Sequence, residues 1–210
     1  MADDLQAEQT PGFKVGEKKT MEEYQKLDQD DDAMNRWKQS LGLGTGDSIS
    51  DPNDPRKCII KSLTLPPKCA IATHSHPQMV DGRPDITLDV SQPGQLETLR
   101  THPFAIKEGT TYRMKATFVV QHEVLSGLKY VQQVKRKSIP VGKDQEMIGS
   151  FPPNTTDRRV HEKMFAPEEA PSGMLVRGRY EASSKFVDDD NVAHLKFEWA
   201  FEIVKEWPKK

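Results

Sequence analysis

Two cysteines in 210 residues, Cys58 and Cys69, are too few for a disulfide framework, and a reducing cytosol is the simplest setting for them. Long apolar runs are also missing: nothing approaches the roughly 20 residues that cross a bilayer. The acidic start MADDLQAEQT lacks the basic head and apolar middle of a secretory signal, so neither secretion nor membrane insertion is expected. The sequon Asn154-Thr155-Thr156 is therefore expected to stay unmodified. Aromatics make up only 7% of the chain against 30% charged residues, and mean hydropathy is -0.73. Hydropathy that low implies that part of the chain stays out of any core.

Catalytic signatures are scarce as well. There is no G-x-S-x-G, phosphate-binding loop or H-E-x-x-H. Gly42-Leu43-Gly44-Thr45-Gly46 has the wrong spacing for a nucleotide loop and no strand before it, and reads as linker. Cys69, His74 and His76 lack a fourth ligand at recognisable spacing and lie in a Pro-rich stretch, so a surface loop is the expected role. No metal or cofactor is expected. The chain reads as a binder rather than an enzyme.

What is present is strand alternation. In the last third, Leu195, Phe197, Trp199, Phe201 and Ile203 (or Val204, if a bulge intervenes) fall on one face of a strand. Lys196, Glu198, Ala200 and Glu202 fall on the other, wet, face. That apolar face exceeds the needs of a thin sandwich layer, so it fills a crowded core or lines a cavity for an apolar guest. Further strands are read in Cys58–Leu65, Ile86–Val90, two segments forming a hairpin around the turn Lys107-Glu108-Gly109, GLKYVQQVKRKS, and GMLVRGRYEASSKF. Seven or more strands without a convincing interior helix indicate an all-β, immunoglobulin-like antiparallel sandwich. The stretch from Pro66 to Asp85 is expected to be a long surface loop.

The amino-terminal part differs. Residues 1–55 hold 13 acids against 6 bases, a net of -7, while the remaining 19 acids and 24 bases give +5. An acidic arm on a mildly basic body fits a basic protein partner, or arm and body associating with each other, better than nucleic acid. Residues 1–20 read as disordered. Thr20 to Glu23 form a capping box ahead of Met21, Tyr24 and Leu27 at helical spacing. The acids Asp28 to Asp32 cap a second helix in which Met34, Trp37 and Leu41 align. Two helices this short do not stand alone in water and are built to fold against a surface. The division expected is a mobile regulatory arm with its linker over 1–55 and a sandwich over 56–210.

The blocks LDQDDDAMNRWKQSLG, PFAIKEGTTYRMKATFVV, VLSGLKYVQ, MIGSF, EEAPSGMLVRGRYEASSKFVDDD and HLKFEWAFEIVKEW, in order over nearly the whole chain, resemble the Rho GDP-dissociation inhibitors. The resemblance implies a cytoplasmic protein that binds prenylated Rho-, Rac- or Cdc42-type GTPases, GDP-bound by preference. It would extract them from membranes and slow GDP release, as a monomer forming a 1:1 complex. GDP and magnesium would belong to the partner. A geranylgeranyl pocket between the sheets is implied at Leu65, Phe104, Tyr112, Met114, Phe118, Val124, Phe197 and Trp199. Switch-loop contacts are implied at Asp30, Asp31, Met34 and Trp37, and contacts to the partner's basic tail at Asp144, Glu146, Glu168, Glu169, Asp188, Asp189 and Asp190. The family's usual Trp-Glu-Trp is Phe197-Glu198-Trp199 here, Trp37 stands where Tyr is common, and Gln145 replaces one expected acid. A carrier of other lipidated cargo, without control of nucleotide exchange, is the alternative.

Overall fold

A computed structural model describes residues 5–8, 12, 23, 26, 30–40, 47–66, 86–91 and 93–208. In chain order its elements are α1 (Asp32–Ser40), β1 (Cys58–Leu65), β2 (Ile86–Asp89), α2 (Pro93–Thr101), β3 (Phe104–Lys107), β4 (Thr111–Tyr112), β5 (Lys115–Val120), β6 (Leu125–Arg136), β7 (Ile139–Phe151), β8 (His161–Met164), β9 (Glu168–Glu169), β10 (Gly178–Val187) and β11 (Ala193–Val204). A four-stranded sheet ordered β2-β1-β5-β8 faces a five-stranded sheet ordered β3-β11-β10-β6-β7, and β4 pairs with β9 as a small ribbon. This is the all-β sandwich that the alternation predicts.

The alternating apolar residues meet between the sheets. Phe197, Trp199, Phe201 and Ile203 of β11 are all buried, in one cluster with Ile60, Leu63, Phe118, Leu128, Tyr130 and Phe186. Phe118 is completely enclosed and meets Phe151 edge-on at 4.9 Å. Burying one such ring contributes about 1.5–3 kcal/mol. The wet face of β11 holds for Lys196, Glu198 and Glu202 but not for Ala200, which is buried. The sequon asparagine is also enclosed: Asn154 Oδ1 accepts the Val120 N–H at 2.7 Å, and its amide donates to the Arg158 carbonyl at 2.7 Å.

Three expectations need correction. The sandwich does contain an interior helix, α2, with Pro93 at its first position, where the missing N–H costs nothing. The segments around Lys107-Glu108-Gly109 do not form a hairpin: β3 joins the five-stranded sheet parallel to β11, and β5 joins the other sheet. Residues 5–8 are not free of the body. Leu5 is 2% exposed, packed with Val131 and Val187 on the outer face of the five-stranded sheet. Glu8 and Gln145 exchange two hydrogen bonds there, at 2.7 and 3.1 Å.

In the arm, the Asp31 carboxylate accepts the Ala33 N–H at 2.7 Å, the capping role read for the acid run. Apart from Glu23 and Lys26, which are helical, the first arm helix lies outside the described residues. So do residues 67–85, with Cys69, His74 and His76.

Candidate functional site

The site is built where β3, β11, β10 and β6 turn their inner faces toward β1 and β5 of the other sheet. Parallel pairing of β3 with β11 puts Phe104 beside Phe201 in register, and Phe104 stacks on Trp199 with centroids 5.3 Å apart and planes within 7°. Antiparallel pairing places Ala182 against Trp199 and Ser184 against Phe197. The Trp199 indole N–H donates to Ser184 Oγ at 2.9 Å. Ser184 Oγ and the Tyr130 hydroxyl lie 2.8 Å apart, and that hydroxyl donates to Gln132 Oε1 at 2.6 Å. A closed polar chain, Trp199–Ser184–Tyr130–Gln132, thus runs through an otherwise apolar interior, every member with a partner. Burial, more than any neighbour, raises the Tyr130 phenol above its ordinary pKa and keeps it a neutral donor.

At one end of this interior the Tyr112 hydroxyl donates to Glu168 Oε2 at 2.8 Å, fixed by the β4–β9 pairing. Burial, then the adjacent Glu168 charge, raises the Tyr112 phenol. Burial also raises the Glu168 carboxyl; the Tyr112 bond opposes this, and the nearby Asp144 and Glu146 charges add to it. Glu146 in turn accepts the Ala166 N–H at 3.0 Å, which holds β7 against the segment leading to β9. Three carboxyl groups at one rim, one of them shifted toward neutrality, make a place where an arriving cation gains by restoring full charge.

Of the residues singled out from the sequence, Phe104, Tyr112, Met114, Phe118, Phe197 and Trp199 share this packed interior. Leu65 is buried but is not a member of that cluster. Val124 stands apart, half-buried in the β5–β6 turn. Asp144, Glu146 and Glu168 gather at the Tyr112 rim, and Glu169 is exposed beside it. Asp188, Asp189 and Asp190 do not join them. They follow β10 at the other end of the sandwich and are engaged locally. Asp188 Oδ2 is 3.0 Å from His194 Nε2, Asp189 pairs with Lys129 at 2.9 Å, and Asp190 lies 4.0 Å from Lys57. Burial raises the Asp188 carboxyl, but bonds from His194 and the Val192 N–H outweigh it and hold it below the ordinary range. Asp30 and Asp31 are exposed, and Met34 and Trp37 lie within α1, their side chains outside what is described.

The sequence reading missed Tyr130, Gln132 and Ser184, although their alternation along β6 and β10 marks them as inward. It also missed Leu96 and Leu99 of α2, which pack on the core. Only the last four residues of β11 pair with β3, so α2 covers the remaining edge. A groove of about 510 Å³ lies there, bordered by Leu96, Arg100, Phe197 and Glu198. Arg100 and Glu198 bridge its mouth at 3.1 Å.

Comparison with known proteins decides the family. The sequence pattern described as RHO protein GDP dissociation inhibitor matches residues 1–206. The chain belongs to the Rho GDP-dissociation inhibitor family. It is 42% identical over 200 residues to the Rho GDP-dissociation inhibitor of Schizosaccharomyces pombe, covering 95% of this chain and 89% of that one. It is 38% identical to the Saccharomyces cerevisiae Rho GDP-dissociation inhibitor, over 92% of this chain and 91% of that one. To Rho GDP-dissociation inhibitor 1 of Homo sapiens it is 35% identical, over 98% and 92% of the two chains. Rho GDP-dissociation inhibitors are regulators rather than enzymes. In this one, no helix among the described residues is long and apolar enough to cross a membrane.

Proposed function

We propose that this Rho GDP-dissociation inhibitor takes the geranylgeranyl group of a Rho-family GTPase between its two sheets, lifts the GTPase from the membrane into the cytoplasm, and slows GDP release with its arm. Membership of the family over residues 1–206, joined to an aromatic interior with an acidic rim at one end, carries this reading. Moving a geranylgeranyl chain from membrane into water costs on the order of 10 kcal/mol, at about 0.8 kcal/mol per CH₂. A carrier must return a similar amount by apolar burial, which only an interior such as the one around Phe104, Phe118, Phe197 and Trp199 can supply.

In the free chain that interior is occupied by its own rings: Trp199 is 7% exposed and Phe118 is fully enclosed. Lipid uptake therefore requires the rings to part. The rim of Asp144, Glu146 and Glu168 would receive the basic stretch that precedes the lipid, a salt-sensitive step beside a salt-insensitive one.

Residues 1–55 act as the inhibitory arm and residues 56–210 as the lipid-binding body. Asp30, Asp31, Met34 and Trp37 would face the GTPase switch loops and hold them ordered around GDP and magnesium. The test is deletion of residues 1–55. The truncated protein is expected to keep binding geranylgeranylated GTPase while losing the block on GDP release. Full inhibition without the arm would refute this division, and binding of a lipidated protein that is not a GTPase as tightly as the GTPase would favour a general carrier.

A further inference from the structure

Where β6 turns into β7, the sandwich ends in a surface that its own packing does not require. The turn passes through Lys137 and Ser138 at φ of 48° and 66°, the two-residue geometry that matches sheet twist. Just beyond it Ile139 is 66% exposed and Val141 54% exposed. Alongside runs the segment between β9 and β10, in which Met174 and Leu175 are 80% and 86% exposed. This outward display is fixed rather than slack. The Arg136 guanidinium donates to the Leu175 and Arg177 carbonyls, the latter at 2.7 Å, and lies 5.3 Å over the Tyr180 ring. Arg177 is itself tied to Glu108 at 2.6 Å, and Glu108 accepts the Gly173 N–H at 2.9 Å. The backbone is thus held while four aliphatic side chains point into solvent, with exposed Lys137 and Lys143 beside them.

The same end carries the acidic rim. Gly109 N–H donates to the Ala170 carbonyl at 2.9 Å, linking the Glu108 turn to the strand that ends in Glu168 and Glu169. A protein partner would need a concave match for two projecting loop tips, and lysine is depleted at the centres of such interfaces. Aliphatic tips flanked by lysines fit a soft anionic surface.

We propose that this end is a membrane-docking surface, in which Ile139, Val141, Met174 and Leu175 enter the headgroup layer of an anionic leaflet and Lys137 and Lys143 meet its phosphates. The docked pose, which sets the acidic rim beside the leaflet where a cargo's basic stretch would meet it, rests on the lipid-carrier reading above; the surface itself does not. It would bring the opening of the interior to the lipid it must collect, and the weakness of a few aliphatic contacts would let the loaded protein leave.

The test is flotation of the full chain alone with phosphatidylcholine vesicles, with and without phosphatidylserine, at low and high salt. Binding is expected on the phosphatidylserine vesicles at low salt and is expected to fall at high salt. Lys137→Gln and Lys143→Gln are each expected to lower partition about five-fold, one cation's worth. Ile139→Ser with Leu175→Ser is expected to lower it further, with the melting temperature unchanged because both side chains are exposed. No enrichment on anionic vesicles, or undiminished binding by the combined variant, would overturn the proposal. Because no GTPase is present, loss of GTPase extraction with intact vesicle binding would sink the lipid-carrier reading and leave this surface standing. The reverse result would sink the surface alone.

Discussion

Gly127→Ala tests whether the acids after β10 hold the fold together rather than receive a basic partner. Gly127 sits at φ +59°, and a Cβ there would fall 1.8 Å from Asp189 Oδ2, so the carboxylate must leave its place. Left-handed backbone at an alanine costs about 1–2 kcal/mol. The larger cost is indirect. Asp189 is the 2.9 Å partner of Lys129, whose side chain is only 7% exposed. Removing one partner of such a pair costs about 3–5 kcal/mol. The total, about 4–7 kcal/mol, is a large share of the roughly 5–15 kcal/mol that holds most domains folded. With an m-value of about 2 kcal/mol per molar in urea, the unfolding midpoint should drop by about 2–3.5 M. A double-mutant cycle isolates the cause: in an Asp189→Ala background, Lys129 has already lost its partner and the clash is gone. There Gly127→Ala should cost only the backbone strain, leaving a coupling of about 3 kcal/mol or more. Equal cost in both backgrounds would refute the reasoning.

Trp199→Phe deletes the indole N–H bonded to Ser184 while keeping an aromatic ring on Phe104; it should cost about 1 kcal/mol in thermal unfolding, since Ser184 retains Tyr130. Glu168 has a raised folded pKa, so its share of stability is fully present below the unfolded carboxyl pKa and is lost as pH rises through the folded one. Glu168→Gln should therefore flatten the fall of stability above about pH 4.3 and weaken binding of a basic peptide, both measurable by denaturation and titration calorimetry. His161 is the reverse case. Burial lowers its pKa despite the 2.9 Å contact with the Pro152 carbonyl, so its contribution is present above about pH 6.5 and is lost as pH falls toward the depressed value. His161→Gln should remove that acid-side loss in melting curves taken between neutral and mildly acidic pH.

Legibility followed the kind of signal involved. Strict alternation makes β11 readable residue by residue, because one face is all large apolar side chains and the other mostly charged. Helix α2 escaped because only Leu96 and Leu99 mark its inner face, and Pro93-Gly94 reads locally as a turn. The parallel pairing of β3 with β11 is invisible for a different reason: the partners lie about a hundred residues apart, and the intervening turn looks like any hairpin. Leu5 is a single apolar residue in a polar stretch, too little for any periodic pattern, yet it is buried on the sheet. The acids show the limit most clearly. Glu168 and the Asp188–Asp190 run look alike in sequence, but one run begins beside Tyr112 and the other follows the far end of β10. Strand direction decides which acids share a rim, and composition does not encode it.

The account stands or falls on lipid uptake. Liposomes carrying a geranylgeranylated, GDP-bound Rho GTPase should be sedimented with and without this protein and with a Trp199→Ala, Phe104→Ala variant shown to remain folded. The expected result is transfer of the GTPase to the supernatant by the native protein and much weaker transfer by the variant. A GTPase that stays in the pellet with the native protein, or leaves equally well with the variant, would contradict the claim that the aromatic interior takes up the lipid.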